Sequence, residues 1–392
     1  MRTRYRLLIF LTNFGFGVVA PVLSLMLIAH GCPLGMIGLA FGAFAIVVIA
    51  AEIPSGVFAD LYGRKLSFLI ACALSALSCV VLLVSNSFLP AMAGLMLFGL
   101  SAAFSSGSMD ALIVEETLAL RGQDALGKTV GEIVAFQCAG IAAGALLGGW
   151  LPEDGGYAAH LFVRLSASAM TGLLAVFLLQ ERREPAEHVS NRLKHHAGQM
   201  FGALRSSRIL TAMLVCALVI AATQSMIEIY WQPRLVSLDS GVRQSYLGLI
   251  CAGEYIVTTL ASLAMSRVRL GDEKIRKAVY FSLCTALALC VILLAKQAGI
   301  AGFAAGYLLM YLCIGLMSVP EQTIINAEVS DGVRASMLSV VSFSVRLGAL
   351  LSSLASSAML LKMDIGSMWT ADAAVTLLVT ALVGALIFIK DR

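Results

Sequence analysis

Twelve runs of about 20 mostly apolar residues recur along the chain, and nothing else in the sequence limits its fold so severely. Each run is long enough to cross a hydrocarbon layer about 30 Å thick as a helix. Lipid offers no partner to a bare backbone N–H or C=O, so a spanning segment must be a helix or part of a closed barrel. These runs are continuously apolar and rich in Leu, Ala and Gly, whereas barrel strands alternate over segments of about ten residues. A soluble helical protein would need polar faces, and a chain with 59% hydrophobic and 13% charged residues and a mean hydropathy of +0.92 lacks them. The expected fold is an all-α membrane protein with transmembrane helices near residues 6–29, 35–58, 66–86, 89–112, 129–151, 160–180, 209–232, 245–266, 277–295, 299–322, 335–361 and 367–389.

Lys and Arg orient these spans. With the N-terminus in the cytoplasm, 21 of the 27 basic residues fall on the cytoplasmic side, four outside, and two, Arg164 and Arg346, within helices. That asymmetry predicts cytoplasmic N- and C-termini, in a multi-pass protein of a cell membrane of the bacterial inner-membrane kind. The net charge of +4 reports topology, and nucleic acid is not an expected partner. The opening MRTRYR leads into a span-length run with no small-residue cleavage site after it, so it reads as the start of the first span. The nine cysteines form no CxxC pair and lie mostly within expected helices, Cys32 being the one plainly in an outer loop. No disulfide framework, metal site or cofactor is expected from them.

The largest break in hydrophobicity runs from Glu181 to Arg208 and separates six spans from six. It reads as a cytoplasmic linker with room for one surface-lying amphipathic helix. The expected domains are an N-terminal six-helix bundle over 1–180, the linker over 181–208 and a C-terminal six-helix bundle over 209–392. Two halves of nearly equal length suggest duplication. The fourth and tenth spans support it, because each runs into an acid near the helix end followed by a short polar loop.

Between the second and third spans, GVFADLYGRK breaks more than fifty nearly uncharged residues with Asp60, Arg64, Lys65 and two glycines. It resembles the loop signature of the major facilitator superfamily, matched by Gly56, Asp60, Gly63, Arg64 and Lys65, with Leu61 where an arginine is usual. With twelve spans divided six and six, the resemblance covers the whole chain. It implies a transporter of two pseudo-symmetric six-helix bundles. It also implies that Asp60 meets the positive N-terminal end of the eleventh helix, near Arg334 and Ala335, as a conformational latch. Gly56 and Asp60 are one helical turn apart, so a missing side chain is expected to allow close approach beside the carboxylate. Glu52 reads as part of the network around Asp60.

The fifth span carries Gly131, Gly140, Gly144, Gly148 and Gly149, a spacing similar to the glycine motif of antiporters in that family, with Ala145 in place of a proline. Gly140, Gly144 and Gly148 form a nearly straight stripe on which another helix can pack closely. The arginine that many relatives carry in the fourth span, four residues before a glycine, is Leu95 here, before Gly99. Any proton must therefore be carried by another group.

Ionisable residues within a membrane are costly and are functional candidates for that reason. Glu254 in the eighth span and Glu228 in the seventh are the expected proton-coupling groups, with Gln224 on the stripe of Glu228. Arg346 in the eleventh span would bind an anion, or pair with Glu254 as a buried ion pair. Asn13, Gln137, Ser105, Tyr255, Tyr307 and Tyr311 are candidate cavity residues that serve equally well as polar contacts between helices.

The chain has no HExxH, GxSxG or phosphate loop, and no convergent Asp and His set, so an enzyme is not expected. Loops other than the linker are too short for a soluble receptor module. The remaining reading is a transporter, expected to act as a monomer, with protons and a small molecule as its partners. One expectation is proton-coupled export of a small amphipathic drug or metabolite. The alternative is uptake or exchange of an anionic metabolite through Arg346.

Overall fold

A computed structural model describes residues 1–106, 108–181, 207–329 and 334–390, without the side chains of 154, 334–336, 338, 389 and 390. The linker from 182 to 206, with the surface helix expected there, lies outside these residues.

Among the described residues there are fourteen α-helices. They are α1 (Thr3–Val19), α2 (Leu23–Ala29), α3 (Ile37–Tyr62), α4 (Arg64–Val84), α5 (Phe88–Ser106), α6 (Met109–Arg121), α7 (Leu126–Gly148) and α8 (Asp154–Leu178). After the linker come α9 (Arg208–Leu238), α10 (Gln244–Ser266), α11 (Glu273–Ala295), α12 (Ile300–Ala327), α13 (Arg334–Met359) and α14 (Ile365–Lys390). They supply twelve helical stretches long and apolar enough to cross a membrane. Large apolar side chains such as Trp150, Phe177 and Leu386 are exposed, as lipid-facing residues must be.

Two spans are broken where their sequences dictate. The first is interrupted by a 3-10 turn over Ala20–Val22, where Pro21 withholds a backbone donor. The fourth stops at Ser106 and resumes as α6, which runs on to Arg121 and carries Glu115 and Glu116 beyond the expected end at 112. Its polar residues extend a helix outside the hydrocarbon, where water replaces lipid. The ninth span starts earlier than its apolar run for the same reason: Asp272 accepts the Lys274 amide and caps α11 before the hydrophobic residues begin.

The described chain forms two compact units, Met1–Glu187 with Val242–Tyr255, and His188–Gly241 with Ile256–Arg392. In the first, α1 packs on α7 and α8, α4 on α5 and α8, and α3 on α5. In the second, α9 packs on α13 and α14, and α11 on α12 and α14. The start of α10 belongs to the first unit because Gly248 packs against Gly149 and the Ala145 carbonyl. There Gln244 also donates to the Gly148 carbonyl at 2.8 Å and lies 2.7 Å from His160 Nε2.

Candidate functional site

The charged corner between α3 and α4 is built around Gly63. Its φ of +104° suits glycine, and the Glu181 carboxylate occupies the place a Cβ would take. Glu181 accepts the amides of Arg64 at 2.6 Å and Lys65 at 3.1 Å, satisfying two first-turn donors of α4. The Arg64 guanidinium holds Glu115 of α6 with two contacts, 3.0 Å and 2.5 Å, and lies 3.5 Å from Asp60. Lys65 Nζ donates to the Val176 carbonyl at 2.6 Å. Arg64 and Lys65 thus tie α4 to α6 and α8. The close approach expected at Gly56 is not found among the described residues, since no atom lies within 4 Å of where its Cβ would be. The side chains of Arg334 and Ala335, the expected partners of Asp60, lie outside the described residues.

The glycine stripe of α7 faces α1. A Cβ on Gly140, Gly144 or Gly148 would fall onto the carbonyl oxygens of Phe10, Phe14 and Val18, and one on Gly17 would meet the Ile141 carbonyl. The two backbones touch along a little over two helical turns, which no larger residue permits. Gly149 faces Gly248 instead, and Gly131 has open space beside it.

Behind that seam the first unit holds a partly open cavity of 290 Å³. Asn13 and Gln137 both line it, as does Ser105. Asn13 donates to its own helix at the Ile9 carbonyl, 2.8 Å, while Gln137 donates to Asp110 Oδ2 at 2.9 Å. Ser75 and Ser168 share a hydrogen bond of 2.9 Å across the wall. Arg164 lines the same space, buried to 3% exposure, its guanidinium 3.7 Å from the centre of the Phe98 ring.

The second unit gathers a different set. Glu228 Oε1 accepts from Gln224 Nε2 at 2.8 Å and from the Tyr311 hydroxyl at 3.1 Å. Tyr311 packs on Tyr307 at 4.9 Å, and Tyr307 packs on Trp231 at 5.1 Å, so an aromatic wall adjoins the carboxylate. Glu228 is exposed at membrane depth and makes no ion pair among the described residues. Four expected residues, Gln224, Glu228, Tyr307 and Tyr311, therefore meet here.

The model of the Major Facilitator Superfamily matches residues 7–235, more than half of the chain. The chain belongs to that superfamily. It is 24% identical to an uncharacterized MFS-type transporter, YxaM of Bacillus subtilis (strain 168), over 278 residues that make up 70% of this chain and 67% of the relative. The solved nucleoside transporter NupG superposes with a TM-score of 0.81 at 15% identity, covering 98% of each chain. The POT family transporter PepTSo superposes with a TM-score of 0.75 at 12% identity over 100% of this chain and 99% of its own. At such identities the two structures report a shared fold.

As a member of the superfamily the protein is a membrane transporter and not an enzyme. Glu254 is buried, Tyr255 and Arg346 are half-buried, and all three are engaged by other groups of the fold. Asp110 and Arg164 were not among the expected site residues. Arg164 had a legible signal, as the sole base in the sixth apolar run. Asp110 was hidden at the end of the fourth run, where an acid reads as a helix boundary.

Proposed function

We propose that this protein is a secondary active transporter working by alternating access and coupling proton movement to export of a small amphipathic drug or metabolite. Glu228 carries the proposal. It is an accessible carboxylate at membrane depth with no basic partner among the described residues, held by Gln224 and Tyr311 beside the Tyr307 and Trp231 rings. A carboxylate there is costly as an anion and is a ready proton acceptor, and the aromatic wall suits the apolar part of an amphipathic molecule. The corner around Asp60, Gly63, Arg64 and Lys65 is proposed as the conformational latch, with both termini in the cytoplasm and the chain working as a monomer in a cell membrane. The alternative, anion binding through Arg346, has less support, because Arg346 already has a partner within the fold.

The test is a set of proteoliposomes with an imposed pH gradient, screened against amphipathic compounds for linked proton movement. Glu228→Gln imitates the protonated acid, so gradient-driven flux should fall at least about tenfold, a barrier change of about 1.4 kcal/mol, while exchange without a gradient survives. Full proton-linked flux in Glu228→Gln would sink the assignment.

A further inference from the structure

The cavity of the first unit holds a cation that the coupling scheme does not use. Arg164 is buried to 3% exposure, more than six residues inside either end of α8, and lines the cavity. Its guanidinium rests against the Phe98 ring and has no hydrogen bond or ion pair among the described residues. The Cys79 thiol, which interacts with it, is no counter-ion while protonated. Five N–H donors in a fixed fork are therefore left without an acceptor in a region where an unmatched charge is costly.

The rest of the wall completes a polar recess. Ser75 and Ser168 have two hydroxyl hydrogens between them and spend one on their mutual bond, which leaves one donor to offer. Asn13 and Gln137 have amide groups on the same wall. The lining contains no second base, so one negative charge is matched and a second is not. Asp110, on the other side of the break between α5 and α6 from Phe98, repels any anion there and a dianion twice as strongly. The volume of 290 Å³ is roughly ten times the ~30 Å³ share of one water, enough for a small organic molecule.

The geometry points to a binding site for a singly charged organic anion, a carboxylate, in the first unit: the carboxylate lies on the Arg164 fork, with the Ser75–Ser168 pair as neighbouring donor and Phe98 holding the guanidinium flat. A planar fork matches a carboxylate with two parallel hydrogen bonds. The site rests on the transporter reading only in that the cavity must be reachable from water. It requires no proton coupling.

Binding is measured at equal pH throughout, with the full chain in nanodiscs and three probes: benzoate, its neutral isostere benzamide, and inorganic phosphate. Benzoate should bind at least about tenfold more tightly than benzamide, the scale of one charge-assisted hydrogen bond, and phosphate should not displace it. Arg164→Gln should level benzoate and benzamide, and Arg164→Lys should restore part of the difference. In the unaltered protein, benzoate but not benzamide should slow alkylation of Cys72, which lines the cavity, as read by peptide mass spectrometry. That measurement stands even if the Arg164 variants do not fold. Equal binding of benzoate and benzamide, effective displacement by phosphate, or unprotected Cys72 would overturn the site. So would an Arg164→Gln protein that melts earlier yet still prefers benzoate, since Arg164 would then be a structural prop. Because no gradient is used, a failure of Glu228-dependent coupling leaves this result standing, and the reverse also holds.

Discussion

The two units pair their helices alike and fill the pairs differently. In the first, α1 lies on α7, and in the second the corresponding spans, α9 and α13, lie together. The pairs α1 with α8 and α4 with α8 recur as α9 with α14 and α11 with α14. Yet the first seam is made by four glycines, Gly17, Gly140, Gly144 and Gly148. The second has Gly348 against the Leu218 carbonyl, followed on α13 by Ser352, Ser353 and Ser356, whose hydroxyls bond back to their own helix. The polar groups differ as well. One unit buries a guanidinium beside a cavity and the other sets a carboxylate beside aromatic rings. A repeated scaffold fixes which helices touch, because that depends on backbone shape, while single residues on those helices set the chemistry of each half.

The seams give the largest expected effect. Gly144→Leu drives a side chain onto the Phe14 carbonyl and the Val18 amide, and with backbone on the far side neither can yield. Overpacking of well-filled cores costs about 1–3 kcal/mol where neighbours can shift, and more is expected here, enough to remove the monodisperse peak in size-exclusion chromatography. Gly131→Ala, with open space around it, should leave that peak intact. A well-behaved Gly144→Leu protein with normal melting would break the contrast between a glycine-built seam and the other.

A middle effect separates two helix starts, one in each unit. The first turn of α4 is capped from far along the chain by Glu181, and the first turn of α11 by its own neighbour Asp272. Glu181→Ala should lose about 1–2 kcal/mol by orphaning two amides and untying α4 from the end of α8. Asp272→Ala should lose about 1 kcal/mol or less, since an exposed cap is replaced by water. Thermal unfolding of both variants decides it, and equal losses would mean that the long-range tie adds nothing.

The smallest effect concerns how the last helix of each unit begins. Residues Gly155, Gly156 and Tyr157 kink the first turn of α8 with φ of +66°, +68° and +66°, two of the three being residues that suit that region. The chain turns into α14 at Asp364, whose carboxylate accepts the Ser367 hydroxyl and the amides of Gly366 and Ser367. Those bonds, the Ser367 hydroxyl foremost, hold the Asp364 carboxyl below the usual range. A depressed folded value stabilises above the ordinary carboxyl pKa of about 3.9 and is lost as pH falls through the lower folded value. Asp364→Ala should therefore lower the melting temperature slightly at neutral pH and leave it unchanged in strong acid. A shift of equal size at both ends of a pH series would refute the linkage.

Much of this molecule follows from its sequence alone. Twelve apolar runs made helices obligatory, because lipid leaves an unpaired backbone no other solution. The spacing of Gly140, Gly144 and Gly148 announced a close seam, and Gln224 and Glu228, one turn apart, announced a shared face. These are local quantities, set by transfer into lipid and by helical period, and they need no knowledge of neighbours. Tertiary structure alone decided the partners. It brought Tyr311 to Glu228 and Asp110 to Gln137, joined Glu181 to the amides after Gly63, and left Arg164 facing a cavity without an acceptor. A charge's worth in a membrane depends on what stands within a few ångströms of it, and residues far apart in sequence meet there only after the helices have packed.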